Sequence, residues 1–253
     1  MTGPLLIREL SRGVLTLTLN RPDKRNALSA ALIDQLAAAI GDAELDAGVR
    51  VVCLRGAGKD FCAGADLREL LDSADHSLAE NEADALRLGR LFIAMRSLPK
   101  PVVAVVQGRA LAGGAGLATA CDYVLAAESA SLGYPEIRRG FVPAMVMTML
   151  RRLTGERVAF DLVATGRVLT ASEALELGLV SRVVQEPALH IEAGRVVDAL
   201  AGMSSSALAL TKRLLYEQDG LSFAQGIALG ARANAAARAT PDFRTAIAAF
   251  LDK

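Results

Sequence analysis

Three short stretches hold residue types able to do chemistry. RALAGGAGLATACD, residues 109–122, is a glycine-rich corner between the apolar run PVVAVVQG and a segment that reads as a short helix. DFCAGADL, residues 60–67, is a second corner of small residues, after the apolar run RVVCLRG. LGYPEI, residues 132–137, carries Glu136, a carboxylate among apolar neighbours.

A glycine corner at a strand-to-helix junction serves one of two ends. It lets helix and strand pack closely, or it aims backbone N–H groups at an anion, helped by the helix dipole. The phosphate versions fail on residue type. A Walker loop needs Lys-Ser/Thr after its glycines, whereas Gly113-Gly114 is followed by Ala115-Gly116. The dinucleotide fingerprint from Gly114 needs a glycine at 119, where Thr119 stands. An oxyanion remains, with an N–H near Gly113 as one donor. The second corner offers a partner donor at Ala65.

The elements that must position these residues follow from patterning. VLTLTLN alternates, with Leu15, Leu17 and Leu19 on one face and Thr16 and Thr18 on the other, and predicts a half-buried strand. Ser29 is placed to cap a helix carrying Leu32, Leu36 and Ile40. RVVCLRG and VVAVV predict buried strands. Leu88, Leu91, Phe92 and Met95 have helical spacing, and LPKP ends that helix. The polar, acidic stretch from about Asp72 to Asp84 reads as the most mobile region. DYVLAAESASLGYPEI gives two short strands around a turn. From Pro143, read as a first-turn proline, the chain is nearly all helical. Thr170 and Glu173 form a capping box, Gly178 stops that helix, and three more helices follow. A strand-and-helix first half with a helical last third predicts an α/β fold: a core over 1–195 and a helical C-terminal lobe over 196–253.

Composition narrows the function classes. The chain has 253 residues, 28 Lys plus Arg and 28 Asp plus Glu, so no basic excess advertises nucleic acid. Three cysteines, Cys53, Cys62 and Cys121, and two histidines, His76 and His190, have no metal-ligand spacing, so no metal is expected. Cys62 reads as a small buried hydrophobe rather than a nucleophile, having no histidine near it in sequence. Free thiols suit a reducing cytoplasm. MTGPLLIREL lacks a basic segment followed by an apolar block, so no secretory leader is expected. No apolar run approaches membrane-spanning length.

NRPDKRNALS, FCAGADL, VQGRALAGGAGLATACD and LGYPEI, in this order, resemble the crotonase superfamily of enoyl-CoA hydratases and isomerases. TGRVLTASEALELGLVSRVV and FRTAIAAFLDK match it too, so the resemblance covers essentially the whole chain. It implies a crotonase-like spiral of ββα units whose helical C-terminal lobe makes trimers, often paired into hexamers. It implies an acyl-CoA thioester as substrate, with no cofactor besides the coenzyme A it carries. The N–H groups of Ala65 and Gly113 are then expected to bind the thioester oxygen. Arg25 and Ala27 match positions near the nucleotide, and Ala63, Asp66 and Leu67 match positions along the pantetheine and adenine. Phe250 and Lys253 match a pair that reaches a neighbouring subunit's ligand.

Hydratases of the family carry two glutamates. The one in the Pro-Glu pair is present as Glu136; the other, three residues beyond the oxyanion glycine, is Gly116 here. Glu136 is left as the acid/base candidate, its raised pKa expected if Leu132, Ile137 and Phe141 make the pocket apolar. The other reading of Glu136 is a turn residue paired to Arg138 or Arg139. One base beside one oxyanion hole suits 3,2-enoyl-CoA isomerisation; hydration by the single Glu needs backbone groups to hold the water, or a contribution from Asp66 or a residue of the 72–84 segment. A decayed acyl-CoA-binding oligomer is the third reading. Ala144, Met145, Val146 and Met147 either narrow the acyl end or form ordinary helix core.

Overall fold

Leucine and valine runs with β-branched residues make the strands, and side-chain caps at Ser29, Asp66, Ser77, Thr170, Ser204, Ser222 and Thr240 start helices. The computed structural model describes residues 3–252. In chain order the elements are β1 (Leu6–Ser11), β2 (Val14–Leu19), α1 (Ala30–Leu45), β3 (Val51–Gly56), α2 (Leu67–Asp72), α3 (Leu78–Ser97), β4 (Val102–Val106), β5 (Arg109–Leu111), α4 (Gly113–Thr119), β6 (Tyr123–Ala127) and β7 (Ser131–Gly133). There follow α5 (Ala144–Thr154), α6 (Glu156–Thr165), β8 (Val168–Thr170), α7 (Ala171–Glu176), β9 (Arg182–Val184), α8 (Leu189–Gly202), α9 (Ser205–Glu217), α10 (Phe223–Arg238) and α11 (Pro241–Leu251).

One six-stranded sheet has the order β1-β2-β3-β4-β6-β9, antiparallel at its first pair and parallel thereafter. A second sheet, β5-β7-β8, lies beside it. β4-β5-α4 and β6-β7 leading to α5 are successive turns of one strand–strand–helix unit. Each strand stacks parallel on its predecessor, β6 on β4 and β7 on β5. This is the expected spiral of ββα units. The five residues of β4 are all buried, as a central parallel strand requires.

Several local expectations hold. Ser29 accepts from the Leu32 N–H at the start of α1, and Thr170 and Glu173 form a capping box on α7. Leu88, Leu91, Phe92 and Met95 are the buried face of α3.

Others are corrected. Thr18 is buried rather than solvent-facing, because it accepts from the Arg55 guanidinium on β3. The 72–84 stretch is largely helical: Ser77 and Glu80 make a capping box that starts α3 within the acidic run. Pro143 is the residue before α5, not inside its first turn. The chain beyond it is interrupted by β8 and β9, each too short to show a period of two, and four helices rather than three follow α7. The expected boundary after residue 195 falls inside α8, which packs on β2, β3, β4 and β6.

Helix α9 is pinned to the core by a buried lysine. Lys212 donates to the Met95 and Lys100 carbonyls at 2.8 and 3.0 Å and pairs with Asp122 at 2.7 Å. Asp122 also accepts from the Val102 N–H and from the Tyr216 hydroxyl, each at 2.7 Å. Among the described residues no helix is long and apolar enough to cross a membrane.

Candidate active site

The two small-residue corners are built against each other. Cys62 and Ala110 form a parallel bridge, with the Cys62 N–H donating to the Arg109 carbonyl and the Leu111 N–H to the Cys62 carbonyl. Ala65 and Gly113 each lie three residues beyond a bridge partner, so both corners turn at the same level. Glycine is what allows the contact. A Cβ on Gly114 would sit 2.2 Å from the Cys62 carbonyl oxygen. On Gly64, whose φ is +98°, it would meet the Ala112 Cβ at 2.8 Å.

The two amides are close and free. A Cβ built on Gly113 would lie 4.0 Å from the Ala65 nitrogen, and one on Gly64 would lie 3.5 Å from the Gly113 nitrogen. Ala65 pairs with Leu28 in a second parallel bridge. That bridge uses the Gly64 carbonyl and the Asp66 N–H, both bonded to Leu28. In a parallel ladder this turns the Ala65 N–H to the opposite side. Gly113 is the first residue of α4, where an N–H has no intrahelical acceptor. Neither amide has an acceptor among the described residues. Ala112, just before, has φ +53° and ψ −126°, a strained backbone for a residue with a Cβ, of order 1–3 kcal/mol. Its N–H is held by the Gly133 carbonyl at 2.8 Å.

That bond joins the corner to the strand before Glu136. Leu111 pairs with Gly133 in the parallel β5–β7 ladder. Gly113 and Glu136 thus leave the ladder at the same end. Glu136 lies in the 3-10 turn Pro135–Arg139 and is 9% exposed. Its Oε2 is buried with no hydrogen-bond partner among the described residues. Burial raises its pKa, opposed in part by its own backbone N–H and then by the Arg139 charge. No ion pair to Arg138 or Arg139 forms among the described residues. The apolar surroundings differ from those expected: Leu132 is fully buried, but Ile137 and Phe141 are 49% and 45% exposed.

The wall beside these groups is hydrocarbon. The Leu28 and Leu88 methyls stand 3.5 and 3.4 Å from a Cβ built on Gly113. At Gly116 the same construction meets the Val146 Cγ1 at 2.2 Å and the Phe92 ring at 3.1 Å. Val146 is buried core of α5, so this part of the Ala144–Met147 run packs α5 against α4 at Gly116.

Residues 25–28 run beside 63–66, which brings Arg25, Ala27, Ala63, Asp66 and Leu67 into one strip. The Ala63 N–H donates to the Arg25 carbonyl at 3.0 Å. Arg25 and Leu67 are exposed, and Ala27 and Ala63 are half-buried. The Asp66 carboxylate is committed: it pairs with Arg21 at 2.7 Å and caps α2 through the Arg68 N–H. The Arg21 hydrogen bond holds its pKa below the usual carboxylate range, so it is no second acid. Phe250 lies away from this strip on α11, which packs on α9 and α10, and is 74% exposed. Lys253 lies outside the described residues.

Sequence reading missed Arg21 and Asn26. Asn26 is fully buried, accepts from the Arg21 N–H, and donates to the Ala57 and Asp60 carbonyls at 2.9 and 2.7 Å. The polar turn NRPDKRN gave no hint of this, because a turn asparagine is ordinarily solvated. Cys62 is fully buried, and desolvation pushes its thiol up to about 12, which disfavours the thiolate that a nucleophile needs.

Residues 9–253 match the enoyl-CoA hydratase/isomerase family. A Thermus thermophilus protein provisionally named an enoyl-CoA hydratase is 44% identical over 240 residues, covering 95% of each chain. A Bacillus subtilis protein named in the same way is 37% identical over 245 residues, 95% of this chain and 93% of its own. The crystal structure of an enoyl-CoA hydratase from Mycobacterium smegmatis superposes with a TM-score of 0.95 at 35% identity, covering 99% of this chain and 97% of that one.

Proposed function

The chain belongs to the enoyl-CoA hydratase/isomerase family, whose members act on acyl-CoA thioesters, and from that premise we propose how this enzyme's own residues work. The thioester oxygen lies between the Ala65 and Gly113 N–H groups. Glu136 moves the proton. As a C2 proton leaves, charge collects on that oxygen, where two fixed donors stabilise it; one such donor is worth about 3 kcal/mol of barrier. The carrying observation is that two acceptor-free amides flank one spot, with a glutamate whose Oε2 has no partner among the described residues leaving the same strand pair beside them. Arg25, Ala27, Ala63, Asp66 and Leu67 form the strip along which coenzyme A, part of the substrate, is bound.

The wall at Gly116 favours one variant of this chemistry. Hydration adds a hydroxyl at C3 and a proton at C2, and the water needs a polar group besides Glu136 to hold it. Val146 and Phe92 occupy the space beside Gly116 with hydrocarbon. In 3,2-isomerisation no water is needed: Glu136 takes a proton from C2 and delivers one to C4, and the double bond shifts from C3–C4 to C2–C3.

The test is paired assays with crotonyl-CoA and a 3-enoyl-CoA, following the conjugated enone absorbance. Loss of absorbance with the first supports hydration, and a gain with the second supports isomerisation. Tight acyl-CoA binding with neither reaction, across chain lengths, would remove the chemistry and leave a binding protein. Exposed Phe223, Ile227, Phe250 and Leu251 support self-association as a trimer or dimer of trimers, to be read by sedimentation. Three buried free thiols suit a cytoplasmic setting.

A further inference from the structure

Arg21 touches both segments that aim the Ala65 amide. Its Nη1 donates to the Ala27 carbonyl at 2.5 Å and its Nη2 to the Asp66 carboxylate at 2.7 Å. Both side chains of the ion pair are 15% exposed, so it is largely withdrawn from solvent. Ala27 precedes Leu28 and Asp66 follows Ala65, while Leu28 and Ala65 are themselves the bridged pair. The guanidinium therefore spans the ladder beside the residue whose N–H matters.

That ladder is short. It consists of the Leu28 N–H bonded to the Gly64 carbonyl at 2.8 Å and the Asp66 N–H bonded to the Leu28 carbonyl at 2.9 Å, preceded by the Ala63 N–H bonded to the Arg25 carbonyl at 3.0 Å. So short a ladder resists twisting of its two segments only weakly. A planar fork held at two fixed acceptors removes that freedom, which a point charge does less well. Arg21 is itself fixed from below: its N–H donates to Asn26 Oδ1, and the Asn26 N–H returns to the Arg21 carbonyl. Asn26 in turn is tied to the loop that leads from β3 into the Ala65 corner.

We propose that Arg21 is a positioning residue for the Ala65 amide, acting through Asp66 and the Ala27–Leu28 segment to hold that N–H in line with the thioester oxygen. The proposal rests on the two-amide reading above. It assigns Arg21 no contact with the reacting atoms.

The experiment uses a saturated thioester that cannot turn over, butyryl-CoA isotopically labelled at the thioester carbonyl, bound to the full-length enzyme. Infrared difference spectra report the carbonyl stretch, which falls when hydrogen bonds polarise the bond. Wild type is expected to show a clear downshift. Arg21→Lys keeps the charge and loses the fork; Asp66→Asn keeps the shape and loses the charge. Each is expected to lose most of the downshift, and kcat is expected to fall roughly tenfold to a hundredfold with a smaller change in KM. Should one variant fail to fold, the other carries the same readout. A wild-type spectrum without a downshift removes the two-amide reading and this proposal with it. A wild-type downshift that both variants keep in full, even at a lowered melting temperature, overturns the role of Arg21 alone and leaves the pair as a structural staple.

Discussion

Val146 stands over Gly116. A Cβ at position 116 would lie 2.2 Å from the valine Cγ1, well inside van der Waals contact. The small residue on α4 and the branched residue on α5 are complementary surfaces, and α4 packs on α5 through them. Gly116 is therefore the close contact of the α4–α5 interface.

Gly116→Ala should destabilise the fold by about 1–3 kcal/mol through overpacking. Val146→Ala made with it should restore part of the loss. Denaturant melts of the two single variants and the double give the coupling, which contact at this distance places at about 0.5–3 kcal/mol. Additive effects would mean that α5 moves aside freely.

Glu136→Gln should lower kcat by at least ~100-fold, the usual worth of a general acid or base. In wild type, kcat/KM should rise with pH through a limb above the ordinary glutamate pKa, because burial raises the group and the carboxylate form is the base. The sign for stability is opposite. Between the ordinary and the raised pKa the folded chain binds more protons than the unfolded chain, so stability falls as pH rises through that window. Thermal melts at neutral pH should therefore show Glu136→Gln more stable than wild type, not less.

Lys212→Met should cost up to about 3 kcal/mol, since it leaves the partly buried Asp122 carboxylate without its cation. The α3 carbonyl at Met95 also loses its donor. Because Lys212 holds α9 to the core, hydrogen exchange should rise first in α9, a pattern that a uniform loss of protection would contradict.

Cys62 should resist thiol reagents in the native enzyme at mildly alkaline pH. Its thiol sits at about 12 and is fully buried. Mass spectrometry after labelling, with and without denaturant, should find it modified only when the chain is unfolded. Rapid native labelling accompanied by loss of activity would return it to the list of reactive groups.

The helix caps at Ser29 and Thr170, the apolar face of α3 and the buried run of β4 were legible along the chain because each depends on neighbours a few residues away. The glycines of the two corners were legible too, as turn formers, and the ordered motifs carried the family. What the linear pattern hid was contact between distant segments. Thr18 reads as a solvent-facing residue until Arg55 is placed beside it. The acidic run to Asp84 shows its polarity along the chain but not the Ser77–Glu80 capping box that starts α3 within it. Arg21 and Asn26 look like turn residues, and only the folded chain turns them inward to hold Ala27, Asp66 and the Ala57–Asp60 loop.

The sequence by itself determined which groups are available: two glycine-bearing corners, one glutamate after a proline, and no carboxylate at 116. Tertiary structure alone decided that the Ala65 and Gly113 amides lie together without acceptors, and that hydrocarbon fills the space beside Gly116. The reason is range. Residue type and local periodicity act over one or two turns of chain, whereas the register of Cys62 on Ala110 and the packing of Val146 on Gly116 join segments about 30–50 residues apart.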